Sequence, residues 1–266
     1  MRFEDAIAKF EKIGARAVFP KPSRWMRSAD PVRWPRLDIR RDKKGEYFSV
    51  GVPDDCSVRV IDTRPDERHL LLLAETADGE KAKFLCGHDE RHWFVSAVPG
   101  DDVRDVRTAQ LALQPVEIHA VIRKKKVKSR FITRRKNKAY IRQGEWFFVA
   151  REWKVVPEDQ VLKDEPLNRG RGSSHFAEYL HRTGGTPVKV HPMHARTGIS
   201  EVEYQALDEH KKRAVGWQNM VRDAKVYVRG RITHSQHRTV TLTGWHRVYL
   251  NTEGLSVAAQ AVAFLD

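Results

Sequence analysis

Two cysteines, Cys56 and Cys86, are all the thiol chemistry available to this 266-residue chain. So small a number excludes a disulfide framework and suits a reducing compartment, with both thiols expected in the core rather than bridged. Long hydrophobic runs are missing too. The longest obvious one, Leu70 to Ala74, falls far below the roughly 20 residues a membrane-spanning helix needs. Residues 1 to 14 lack the uncharged core of a signal peptide, because charges alternate with Phe3, Ala6, Ile7, Phe10 and Ile13 at helical spacing; the expected location is the cytoplasm. Neither a Walker loop nor a dinucleotide fingerprint is present, and there is no internal repeat.

What the chain does have is material for a core. Apolar residues make up 40% of it, with seven Trp and eleven Phe, which excludes wholesale disorder. Phe3 to Ile13 reads as a helix closed by Gly14. Pro20, Pro22, Pro31 and Pro35 break the next stretch, which Trp25 and Trp34 pin to something apolar. From Tyr47 to Val98 short alternating segments punctuated by Pro65-Asp66 and Asp78-Gly79 predict strands, and a helix is expected over about Val103 to Leu113. Glu145 to Val156 reads as a buried strand or hairpin arm. The Ser200-x-x-Glu203 spacing predicts a helix running to about Ala214, with a second short helix after Gly216. Lys225 to Thr233 and Arg238 to Thr243 read as two strands of a hairpin. The expected class is α+β, β-rich, with mostly antiparallel sheets and a few short helices packed on them. Three parts are expected: residues 1–122, a basic hairpin or arm over 123–143, and residues 144–266, which could also form one continuous domain.

Charge is unevenly placed. The net charge is +14, yet residues 1–122 hold 21 basic and 21 acidic side chains, and residues 144–266 hold 17 and 14. The excess sits in the 21 residues between, which carry 11 cations and no acid. These are Arg123, Lys124, Lys125, Lys126, Lys128, Arg130, Arg134, Arg135, Lys136, Lys138 and Arg142, with Phe131 and Tyr140 among them as stacking platforms. Such a run is relieved by a phosphate backbone, whose binding releases counterions. Nucleic acid is therefore the expected partner. An acidic protein or acidic lipid would satisfy the same cations, and a solvated face without a partner is the plainest alternative.

Candidate chemistry lies in the C-terminal half. Asn168-Arg-Gly-Arg-Gly-Ser-Ser-His175 offers Arg169, Arg171, Ser173 and Ser174 as phosphate-binding groups around two glycines, and a helix beginning at Phe176 would add free amides. His175 and His237 are the candidate acid and base. Twelve histidines, most of them after His175, also permit a divalent metal at a histidine cluster built from His191, His194, His234, His237 and His246, although no cofactor is the primary expectation. A set of Cys56, Cys86, His88 and His92 is weaker, because its cysteines are not closely paired. His181-Arg-Thr183 and His237-Arg-Thr239 resemble the paired His-x-Thr motifs of the two-histidine phosphodiesterases, which would make His181 and His237 face one phosphate. The apolar residue that follows each motif is present as Val240 but replaced by Gly184, and the likeness covers only these few residues.

The leading expectation is thus a nucleic-acid-binding protein that uses residues 123–143. The alternatives are a phosphodiester- or nucleotide-processing enzyme with an Arg/Ser/His site, and an interaction protein for an acidic partner.

Overall fold

A computed structural model describes residues 3–20, 33–152, 155–167 and 174–259. Trp25, Pro22 and Pro31 lie outside them. The chain is a β-rich α+β protein with mostly antiparallel sheets and short helices, as its sequence predicts.

Helix α1 (Glu4–Lys12) carries Glu4 and Asp5 in its first turn and Lys9 and Lys12 in its last, matching the helix dipole, and Gly14 follows at φ +77°. Strand β1 (Ala17–Val18) pairs in parallel with β3 (Gly45–Gly51), which pairs with β2 (Arg36–Asp42). A meander follows, β4 (Cys56–Arg64), β5 (His69–Thr76), β6 (Lys81–Asp89) and β7 (His92–Val98), in simple up-and-down order. Its two faces explain the unbroken leucine run. Leu70 and Leu72 join Phe10, Leu37, Phe48 and Phe84 in one core, whereas Leu71 and Leu85 face the opposite way onto α2 (Val106–Ala112). A sheet buried on both faces needs apolar residues at every position. Cys56 and Cys86 are free and buried. Cys56 pairs with Thr76 and Cys86 with Leu70, so six residues of β5, about 20 Å, separate them along the sheet. They can neither bridge nor share an ion with His88 and His92.

The second large sheet has the order β10 (Leu162–Leu167), β11 (His175–Thr183), β15 (Lys225–Thr233), β16 (Val240–Leu250), β9 (Trp146–Ala150), β8 (Ile141–Gln143), all antiparallel. Leu167 from one edge strand and Ile141 from the other belong to a single cluster with Trp146, Phe148, Leu180, Val228 and Ile232, so the sheet curls around its own core. Helix α3 (Val116–Lys124) covers the outer face through Ile118, against Phe147, Val149 and Tyr140.

Residues 184–224 form a three-stranded excursion, β13 (Ala195–Ile199), β12 (Thr186–His191) and β14 (Gln218–Arg222), with α4 (Glu201–Gln205) and α5 (Glu209–Lys212). The Ser200/Glu203 capping box is present. The helix it starts stops at Gln205, and Asp208 caps a separate one, so the single long helix expected here is two. A strand stands where a helix was expected after Gly216, because Gln218 to Arg222 pair with β12.

The segment 123–143 is not a projecting hairpin. Its start completes α3, Ser129–Phe131 make a 3-10 turn, and only Ile141–Gln143 are strand, paired with β9 across Gly144-Glu145. Packing decides this, since Val121, Ile122 and Val127 sit against the Tyr140 and Phe147 cluster and hold the chain to the body. One turn of the N-terminal half reaches the same place, and a C-terminal residue ties back to β7. Glu90, at the β6–β7 turn, pairs with Arg135 and accepts the Arg238 amide, and Asp89 lies 3.5 Å from Arg135 and 3.4 Å from Arg142. Glu253 Oε1 accepts the Ala97 amide at 3.1 Å.

Candidate metal centre and basic face

Three backbone features bring three histidines to one end of the curled sheet. His175 opens β11 and pairs with Leu167 of β10. The next pair, Phe176 with Thr233 of β15, places the residue after β15, His234, beside it. The connection from β15 to β16 then returns His237. Gln143, fully buried, donates to Ile232 O at 3.3 Å and Arg238 O at 2.6 Å, and so pins both ends of that connection. The ring centroids of His175 lie 4.2 Å from His234 and 5.4 Å from His237, and those two are 4.8 Å apart. One nitrogen from each imidazole lies within 4.8 Å of the others, a set that could hold a metal ion.

The turn beneath the cluster is glycine for a steric reason. Gly144 has φ +54°, and a Cβ there would stand 2.8 Å from His237 Nε2 and 3.4 Å from His175 Cε1. Gly144→Ala is expected to cost about 1–2 kcal/mol for the left-handed conformation alone and to displace the His237 ring. A melting curve and a metal titration check this: both midpoint and affinity fall, whereas alanine at Gly79, which meets nothing within 4 Å, incurs the φ cost only.

Electrostatics keep His237 neutral. Burial first, then the neighbouring His234, lowers its pKa to about 4 despite Asp89. Its Nδ1 is buried and has no hydrogen-bond partner among the described residues. A neutral imidazole with an unengaged lone pair is what a transition metal requires. His234 Nδ1 accepts the Gln236 amide at 3.2 Å. An ion on that nitrogen would displace the bond, at about 1 kcal/mol.

The depressed His237 pKa also sets an acid limit for the metal-free chain. The unfolded imidazole takes up a proton near pH 6.5 and the folded one only near 4, so stability present above about 6.5 is lost as pH falls towards 4. Burial depresses His69 and His246 in the same direction. The melting temperature is expected to fall between pH 7 and 5, less steeply in His237→Gln.

A cavity of about 310 Å³ opens between the two halves of the chain. It is lined by His234, His237, Gly144 and Arg142 of the C-terminal half, by Glu46, Asp89, His92 and Trp93 of the N-terminal half, and by Thr133 and Tyr140 of the basic segment.

The remaining histidines go elsewhere. His191 accepts the amides of Met193 and His194 at Nδ1, lies 3.1 Å from Val215 O at Nε2, stacks on His194 and packs at a tilt against Trp217 in the excursion; it is a structural residue. His246 Nδ1 bonds Gly244 O. His181 lies six residues along β11 from His175, about 20 Å, with Nδ1 on Gln160 O and its ring near Tyr227 and Trp245. It therefore does not face His237 as the paired-motif likeness implies.

Arg169, Arg171 and Ser173 lie outside the described residues; Ser174 directly precedes His175. The helix expected at Phe176 is instead strand β11. A register shift between Ala177 and Tyr179 explains the difference, since it buries Ala177 and Leu180 together and gives a strand helix-like spacing.

Of the eleven cations, Arg135 and Arg142 are engaged by Asp89 and Glu90. The other nine, Arg123, Lys124, Lys125, Lys126, Lys128, Arg130, Arg134, Lys136 and Lys138, are exposed and form no salt bridge among the described residues. The guanidiniums of Arg130 and Arg134 lie over the Phe131 ring, at 4.7 and 4.8 Å. Tyr140 is not a stacking platform. It is buried, its hydroxyl donates to Ile132 O at 2.6 Å and accepts from Gln114, and burial pushes its pKa up to about 12.

Fold and site together define an α+β protein with a three-imidazole cluster at the edge of an inter-half cleft, and a separate run of exposed cations. The chain matches no family model, no curated protein and no solved structure. Among the described residues no helix is long and apolar enough to cross a membrane.

Proposed function

We propose that this protein is a metal-dependent phosphodiester hydrolase acting on nucleic acid. His175, His234 and His237 hold a first-row transition ion of the zinc type, and the nine exposed cations of residues 123–138 hold the polymer backbone. The observation that carries the reading is a cluster of three imidazoles, two of which, His234 and His237, line a cleft whose wall is built partly from the basic segment itself. Three imidazoles suit zinc, and three protein ligands leave a position for water, which separates a catalytic centre from a closed structural one. Residues 168–173 contain no His, Cys, Asp or Glu that would complete a fourth strong ligand. The ion would supply an acidified water and polarise a phosphoryl oxygen; the cations would hold the backbone without reading its sequence.

The test is incubation of labelled single-stranded RNA, single-stranded DNA and duplex DNA with chelator-treated protein, with and without added Zn²⁺ or Mn²⁺. Metal-dependent cleavage of one or more supports the reading. Salt-steep binding with no cleavage under any metal reduces the protein to a nucleic-acid-binding one, and absence of both points to an acidic protein partner.

A further inference from the structure

The cleft that His234 and His237 line also carries a separately built pair, Glu46 and His92. His92 opens β7 and Glu46 lies in β3, 46 residues apart in sequence. Glu46 Oε1 is 2.6 Å from His92 Nδ1, and its Oε2 accepts the Trp93 amide at 3.1 Å. Both carboxylate oxygens are therefore held by the first two residues of β7, and the ring is oriented through Nδ1. Among the described residues Nε2 has no hydrogen bond. The carboxylate on Nδ1 fixes the orientation of the ring and leaves Nε2 as the nitrogen that can exchange a proton with a bound substrate. The other charged groups lining the cleft are Arg40, Arg41, Asp89, Arg142, Glu145 and Glu253.

Resting on the hydrolase reading, we infer that His92 is the general acid of the reaction and Glu46 its positioning residue. Water oxygen attacks phosphorus and the bond from phosphorus to the leaving oxygen breaks. The electron pair goes to that oxygen, which takes the Nε2 proton of His92. The ring is left neutral and regains a proton from solvent, while the attacking water has lost its own to solvent, so the sum is hydrolysis. The N-terminal half is thereby part of the active site rather than a scaffold for it.

Leaving-group chemistry tests this. An oligonucleotide expels an alkoxide that needs the proton; a p-nitrophenyl phosphodiester expels a phenolate that does not. With zinc-loaded full-length protein, His92→Gln is expected to lose about 100-fold or more in kcat on the oligonucleotide and less than about threefold on the p-nitrophenyl ester. Glu46→Gln should change the ratio of the two activities in the same direction by a smaller factor, which a loss of folding would not do. Bound zinc should be unchanged in both. Equal losses on the two substrates, or none on the oligonucleotide, would overturn the proton-donor role and leave the hydrolase reading standing. No cleavage of either substrate by the parent chain would overturn that reading, and this one with it.

Discussion

Alanine at His237 is expected to lower zinc affinity by more than roughly 100-fold and to abolish cleavage, and alanine at His194 to leave both unchanged. The magnitude follows from comparison, since removing even an outer partner of a metal ligand commonly costs about 10–100-fold, and His237 would be a ligand itself. His237 is the most informative of the three because burial and His234 hold it neutral and its Nδ1 has no competing bond among the described residues. His175→Ala should behave alike, with a larger loss of stability because that ring is buried beside Trp146. His194 is the matched control, an imidazole that stacks on His191 in the excursion. Zinc content after dialysis reads out the first effect, and labelled-strand cleavage the second. A full complement of zinc in His237→Ala would remove the three-imidazole centre.

Replacing the nine exposed cations with glutamine should flatten the salt dependence of binding. Every phosphate that the protein no longer neutralises takes about 0.7 to 0.9 off the slope of log affinity against log salt, so six such phosphates lower the slope by roughly 4 to 5. Near 50 mM salt the fall in affinity should exceed about 1,000-fold, shrinking as salt rises. Glutamine at Arg135 and Arg142 should act differently, unseating Asp89 and Glu90 and lowering the melting temperature. A slope that survives the nine replacements would show that the polymer binds elsewhere.

The fold is legible in the sequence where its signals are local. The α1 spacing with Gly14, the Ser200/Glu203 box, the 225–233 strand and the alternation before Val98 depend on neighbours in sequence. The site is less legible because it is made by pairing. His234 and His237 announce themselves three residues apart, yet so do His191 and His194, and only the docking of β11 on β15 selects His175 as their partner. In the sequence His175 reads as an acid or base beside an anion loop, and the Ala177/Tyr179 shift hides its strand. Tyr140 reads as a stacking residue because the cations around it are charged and solvent-seeking, and nothing near it in sequence signals the Ile132 carbonyl that its hydroxyl satisfies. Glu46 and His92 carry no mutual signal at all. An unexplained glycine between Gln143 and Glu145, in a segment otherwise reading as strand, is the available hint that something packs against that turn.

The excursion of residues 184–224 leaves the curled sheet at Thr183 and rejoins it at Lys225, and these two residues are direct Cα partners. A pair so placed can be joined by a short turn. The excursion is therefore a cassette that can be gained, lost or exchanged at one doorway without shifting the strands that carry His175 and His234. Its own His191, Trp217 and Tyr204 packing is self-contained, which leaves it free to diverge in sequence while the imidazole end of the sheet stays constant.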